Sequence, residues 1–131
     1  MKRYITFTVS LLLIVLMIFS FTSCTKVEVE DGAIIAVFRY GDVDISEPLT
    51  YEDSKVVREI FNGKYLYSDS LFCGFGEDVA LIINGDTYCI ACDSCGTIYD
   101  IKEDKYFELS DKETEILHNL LGKYGFIFPC V

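Results

Sequence analysis

Along this chain the hydrophobic pattern changes character near residue 24. From Tyr4 to Phe21 apolar residues run almost without interruption, densest from Leu11 to Phe19. A run with no polar face predicts a segment destined for lipid or export machinery, not an amphipathic surface helix. Thr25–Asp31 is polar and acidic and predicts a short tether. Beyond it the pattern becomes periodic. Ala33–Phe38 is rich in β-branched and aromatic residues and predicts a strand. Tyr40-Gly41-Asp42 predicts a turn, and Val43-Asp44-Ile45 a returning strand that stops at Pro48. Residues 64–77 read as a loop. Val79–Ile83 and Thr87–Ala91 flank Asn84-Gly85, the pair best suited to a hairpin turn with positive φ at both central residues. Thr97–Ile101 and Tyr106–Glu108 predict a further hairpin across Lys102–Lys105.

Two segments carry the helical period. In the first, Thr50 is the N-cap candidate with Asp53 three residues on, and Val56, Val57, Ile60 and Phe61 form an apolar stripe ahead of Asn62-Gly63. In the second, Ser110 and Glu113 spell a capping box, and Ile116, Leu117, Leu120 and Leu121 form the stripe ahead of Gly122. The two segments match position by position. Each is preceded by Leu and closed by Gly-Lys-Tyr: Gly63-Lys64-Tyr65 and, one position earlier in its repeat, Gly122-Lys123-Tyr124. Each is followed by a cysteine, Cys73 or Cys130. The pattern predicts two β-β-α units, about 33–65 and 78–124, the second with an extra hairpin. The fold class is therefore α+β: one antiparallel sheet with two helices on one face, after an N-terminal signal or anchor helix.

The head of the chain has the order of a secretory signal: basic Met1-Lys2-Arg3, the apolar run, then Ser20 to Ser23 before Cys24. Phe21-Thr22-Ser23-Cys24 resembles the lipobox of bacterial lipoproteins, with Phe21 where Leu is usual. The resemblance implies that Cys24 receives a diacylglycerol, that residues 1–23 are removed, and that a further acyl chain, of palmitate type, can cap the new amino group. Two or three acyl chains hold a protein on a membrane, where one is marginal. An uncleaved transmembrane anchor and plain secretion are the alternatives. All three place the remainder on the extracytoplasmic side of the cell membrane. Domain organisation follows: 1–23 signal peptide, 24–32 lipidated Cys and tether, 33–131 one small domain.

Charge narrows the partners. The formal net charge is −10 over 131 residues, and losing Lys2 and Arg3 with the leader leaves nine basic against 21 acidic residues, or −12. Phosphate backbones need a basic face, so no nucleic-acid partner is expected. An anionic lipid surface repels such a domain, so its membrane association must come through the anchor. The acidity otherwise reads as solubility; a protein or small-molecule partner is left open.

The remaining chemistry is in the cysteines. With Cys24 assigned to lipid, Cys73, Cys89, Cys92, Cys95 and Cys130 remain. An odd number outside the cell leaves one thiol over. The reading favoured here takes Cys73, Cys92, Cys95 and Cys130 as a disulfide set. Each post-helix cysteine bridges to one of the central pair, in either of two ways, and Cys89 stays apart as a buried free thiol. A rival uses the same four as zinc ligands, since Cys92-Asp93-Ser94-Cys95-Gly96 resembles one zinc knuckle, although a second is missing. A third is thiol exchange at Cys92 and Cys95, without the helix N-terminus or neighbouring cation that lowers a thiol pKa. The spacing of Cys89, Cys92 and Cys95 also touches that of ferredoxins, but their fourth cysteine is lacking.

His118, the sole histidine, lies beside the second stripe and reads as a solvated or packed residue. Gly74-Phe75-Gly76 reads as a turn with a core aromatic. No nucleophile elbow, zincin or P-loop pattern occurs, and no cofactor is implied. The sequence thus predicts a non-enzymatic, membrane-anchored lipoprotein with a small acidic binding domain; the alternative is a thiol-redox or zinc-binding envelope protein.

Overall fold

The computed structural model describes residues 25–68, 74–93 and 95–130; the leader, Cys24 and Cys73 lie outside the described residues. The chain forms β1 (Ile34–Tyr40), β2 (Val43–Pro48), α1 (Tyr51–Phe61), β3 (Val79–Ile83), β4 (Asp86–Ile90), β5 (Thr97–Asp100), β6 (Lys105–Glu108) and α2 (Asp111–Gly122). The strands make one sheet in the order β2-β1-β3-β4-β5-β6, antiparallel at every step. The α+β class expected from the sequence is therefore the class observed. The order is symmetric about the β3–β4 hairpin, with a β-β-α unit on each side.

Alternation along the strands builds the core. Ile34, Ala36 and Phe38 stand opposite Ile83, Leu81 and Val79, and Leu81 stands opposite Tyr88 in turn. Ile90, Ile98 and Phe107 continue the row through β4, β5 and β6. A period of two puts all of these on one face, where they are buried. Both helices cover that face. Phe61 of α1 meets Phe107 and Tyr88 edge-on at 5.0 and 5.7 Å, and Leu117, Leu120 and Leu121 of α2 belong to the same core. Asn84 and Gly85 have φ of 52° and 85°, as their turn requires.

The caps form as their residues dictate. Thr50 accepts from the Asp53 amide at 3.2 Å. Ser110 accepts from the Glu113 amide while Glu113 accepts from the Ser110 amide, so two otherwise orphaned donors are satisfied. Within the stripes, however, Val56 is only half-buried and Ile116 is exposed. Val57, Ile60 and Phe61 and Leu117, Leu120 and Leu121 are buried as expected, and Ser54, Arg58 and Thr114 join them three and four residues away. Gly63, with φ of 78°, ends α1 as expected. Gly122 remains inside α2, and the left-handed residue that turns the chain away is Gly125, at φ 93°.

The expected tether is the clearest correction. Val27 and Val29 are 3% and 8% exposed and belong to the core. Thr25 and Val27 exchange backbone hydrogen bonds with Gly63, Lys64 and Leu66. In Val27-Glu28-Val29-Glu30 one side of an extended segment is apolar, and that side closes the gap beside α1.

The second face of the sheet is not bare. Val37, Ala80, Cys89 and Thr97 are buried there. Phe75 is half-buried and lies against Tyr99 and Tyr106 at 5.8 and 5.5 Å, so it packs on this face and not in the core between sheet and helices. Tyr67 extends the β6 edge by a pair of backbone bonds to Tyr106.

Candidate functional site

Of the candidate cysteines, the fold brings Cys92 and Cys130 together. Cys92 follows β4, and Cys130 arrives on the segment after α2. They form a disulfide with Cα atoms 5.0 Å apart across 38 residues, and the Cys130 amide donates to the Cys92 carbonyl at 2.9 Å. This is one of the bridges the sequence allowed, between a post-helix cysteine and the central pair. The segment is further fixed by Phe126, buried against Phe38 at 4.8 Å. Cys95 is half-buried, its amide donating to Asp93 at 3.1 Å and its Sγ 3.0 Å from the Thr97 hydroxyl. Cys89 stands apart on the second face, 1% exposed, with its thiol pushed up to about 11 by burial and by the charge of Glu77. A thiol so far above neutrality is a poor nucleophile and packs as an apolar residue.

This arrangement bears on the rival chemistries. A sulfur committed to Cys92–Cys130 cannot serve as a thiolate ligand, so zinc held by the four-cysteine set requires that bond to be reduced first. Among the described residues no group of three or more His, Cys, Asp and Glu is placed to hold a metal ion.

His118 projects from α2 onto Phe128, the rings stacked at 4.0 Å and 4° apart. Burial draws its pKa below the usual imidazole value, so at neutral pH it is an uncharged packing surface. The position equivalent to His118 in the first unit is Arg58. Its Nη1 donates to the Gly32 carbonyl at 3.1 Å and its Nε lies 3.5 Å from Asp31. One turn on, Asn62 exchanges bonds with the backbone of Val29. Equivalent helix positions thus hold an extended segment each: residues 29–32 on α1 and the C-terminal segment on α2. Sequence reasoning missed Arg58; the available signal was a charged residue inside an apolar row.

The helix ends are cross-linked in the same reciprocal fashion. Lys64, after α1, reaches Glu113 at the start of α2 at 2.6 Å. Lys123, after α2, reaches Asp53 at the start of α1 at 3.1 Å. Tyr124 accepts from the Thr50 amide at 3.0 Å and donates to Asp53 at 2.8 Å. These bonds, that from Tyr124 foremost, hold the Asp53 carboxyl below its ordinary range. Burial opposes ionisation of Glu113, but bonds from Lys64 and Ser110 outweigh it, so its carboxyl is lowered too. The two lysines of the matching motifs, Lys64 and Lys123, therefore act as mutual clasps, each at the cap of the other helix, and of the two tyrosines Tyr124 joins its clasp while Tyr65 is exposed.

At the end of the sheet carrying the β3–β4 and β5–β6 turns lies a groove of about 340 Å³ lined by Glu28, Glu30, Asp86, Tyr88 and Lys102. Lys102 pairs with Asp86 at 3.1 Å. Nearby Asp100 is buried, its carboxyl raised by that burial, and it caps the β5–β6 turn by accepting from the Glu103 amide. The groove offers mainly carboxylates to a visitor. Among the described residues no helix is long and apolar enough to cross a membrane. Comparison with family models, curated proteins and solved structures finds no match for this chain.

Proposed function

We propose that this chain is an exported lipoprotein, held on the extracytoplasmic side of the cell membrane through Cys24, whose small acidic domain acts by binding and not by catalysis. One observation carries the reading: the basic and apolar leader ends at Thr22-Ser23-Cys24, immediately ahead of a closed, disulfide-tied domain. A domain of −12 does not adsorb to an anionic leaflet unaided, and acyl chains supply what its surface lacks. The Cys92–Cys130 bond fits an oxidising compartment. The partner, protein or small molecule, meets a surface dominated by carboxylates.

The test is metabolic labelling with a fatty acid in a bacterial host. The wild-type chain takes up label and fractionates with membrane. Cys24→Ala takes up none and retains its leader or is cut elsewhere. Equal labelling of the variant refutes the assignment.

A further inference from the structure

Resting on that lipoprotein reading, we infer that the domain has no stand-off from the bilayer, and that the corner formed by Lys26, Tyr65 and Leu66 is its membrane-facing surface. The Thr25 carbonyl already accepts from the Leu66 amide at 3.0 Å, and the Val27 amide donates to the Lys64 carbonyl at 2.8 Å. Val27 is buried, and Asn62 and Arg58 grip the chain through Gly32. A lipid on Cys24 is therefore one peptide unit, about 3.8 Å of Cα travel, from a residue fixed in the fold. A lipoprotein with a polar linker can hold its domain tens of ångströms away; this one is set down at headgroup level.

The residues that meet the headgroups follow from the same hydrogen bonds. Tyr65 is 60% exposed, and Lys26 lies over its ring, with Nζ 4.8 Å from the centroid. An aromatic ring with an ammonium group on it suits the interface between hydrocarbon and water. The cleft beside Thr25 is lined by Lys26 and Lys102 and by four carboxylates, Glu28, Asp86, Asp100 and Glu103. Lys102 is paired with Asp86, and the acids keep the cleft itself out of an anionic headgroup layer, leaving Tyr65 and Lys26 at its rim as the contact. The short link to Thr25 fixes this corner at the bilayer, and the net negative charge of the domain turns the rest of the body away from an anionic leaflet. The opposite end of the sheet then faces away. There Tyr40 closes β1, about 20 Å along the strand from Ile34, and is 46% exposed.

The chain contains no tryptophan, so Tyr65→Trp and Tyr40→Trp each create a single reporter at an exposed aromatic position. Both full-length variants are expressed in a lipidating host and purified in detergent. They are then placed in vesicles of phosphatidylethanolamine and phosphatidylglycerol carrying a headgroup-level spin-labelled lipid. Acrylamide quenching in detergent normalises each reporter for exposure, and mass spectrometry of the same samples reads the acyl group on Cys24. The inference predicts quenching of Trp at position 65 at least threefold stronger than at position 40. Acylated protein with equal quenching at both, or stronger quenching at position 40, overturns the orientation and leaves the lipoprotein reading standing. Protein without acyl at Cys24 overturns both.

Discussion

Cutting the Cys92–Cys130 bond should cost this domain a large share of its stability. The bond closes a loop across 38 residues. In the chain-entropy account, a loop of that length restricts the unfolded chain by about 4 kcal/mol at 25 °C. Small domains have only about 5–15 kcal/mol in total. The folded state changes little by comparison, because Phe126 stays buried against Phe38 and the Cys130 amide keeps its bond to Cys92. The loss therefore arises in the unfolded ensemble, with a signature in urea denaturation. Cys130→Ser should lower the midpoint by about 2 M, taking a slope of about 2 kcal/mol per M. The slope itself should rise, since a chain without the cross-link unfolds to a more open state. Cys92→Ser should do the same, and the double variant should be no worse than either, because each opens the same loop. Unchanged midpoints, or two losses that add, would refute the reasoning.

Three further outcomes follow from the same geometry. Cys89, buried and with its thiol pushed up to about 11, should resist iodoacetamide at pH 8 until the protein is unfolded; peptide mass mapping checks this, and labelling of the native chain at the rate of an exposed thiol contradicts it. With Cys92 joined to Cys130, the pairing expected from the sequence assigns Cys73 to Cys95, so unreduced peptide mapping should recover a Cys73–Cys95 link, and a Cys73–Cys89 link would contradict it. Because burial lowers the pKa of His118, the unfolded chain binds that proton first as pH falls. Stability is full above the ordinary histidine value of about 6.5 and declines as pH drops from there through the lowered folded value. His118→Phe, which keeps a ring on Phe128, should flatten that limb, leaving the loss at lower pH where Asp53 and Glu113 take up protons.

What could be read from the sequence was whatever rests on neighbours in the chain. Thr50, Ser110 and Glu113 satisfy amides three residues away, and Asn84-Gly85 adopts a conformation set by its own backbone, so caps and hairpin were visible in the letters. The correspondence of the two helical segments was visible also, and the structure gives it a physical role in Lys64–Glu113 and Lys123–Asp53. Those pairings join residues 49 and 70 apart, which no local pattern reveals. The docked segment 25–31 was hidden because four of its seven residues are charged, and charge density outweighed the alternation of Val27 and Val29. Arg58 was hidden for a related reason: its burial depends on a carbonyl, that of Gly32, supplied by chain 26 residues earlier.

The central claim is the anchor, and the most direct measurement is the intact mass and N-terminal sequence of the chain recovered from a bacterial membrane fraction. The account predicts a polypeptide that begins at Cys24, 108 residues long, heavier than its amino acids by a diacylglyceryl group or by that group and one acyl chain. A chain beginning at Met1 or at any residue after Cys24, with no added lipid mass, would contradict it.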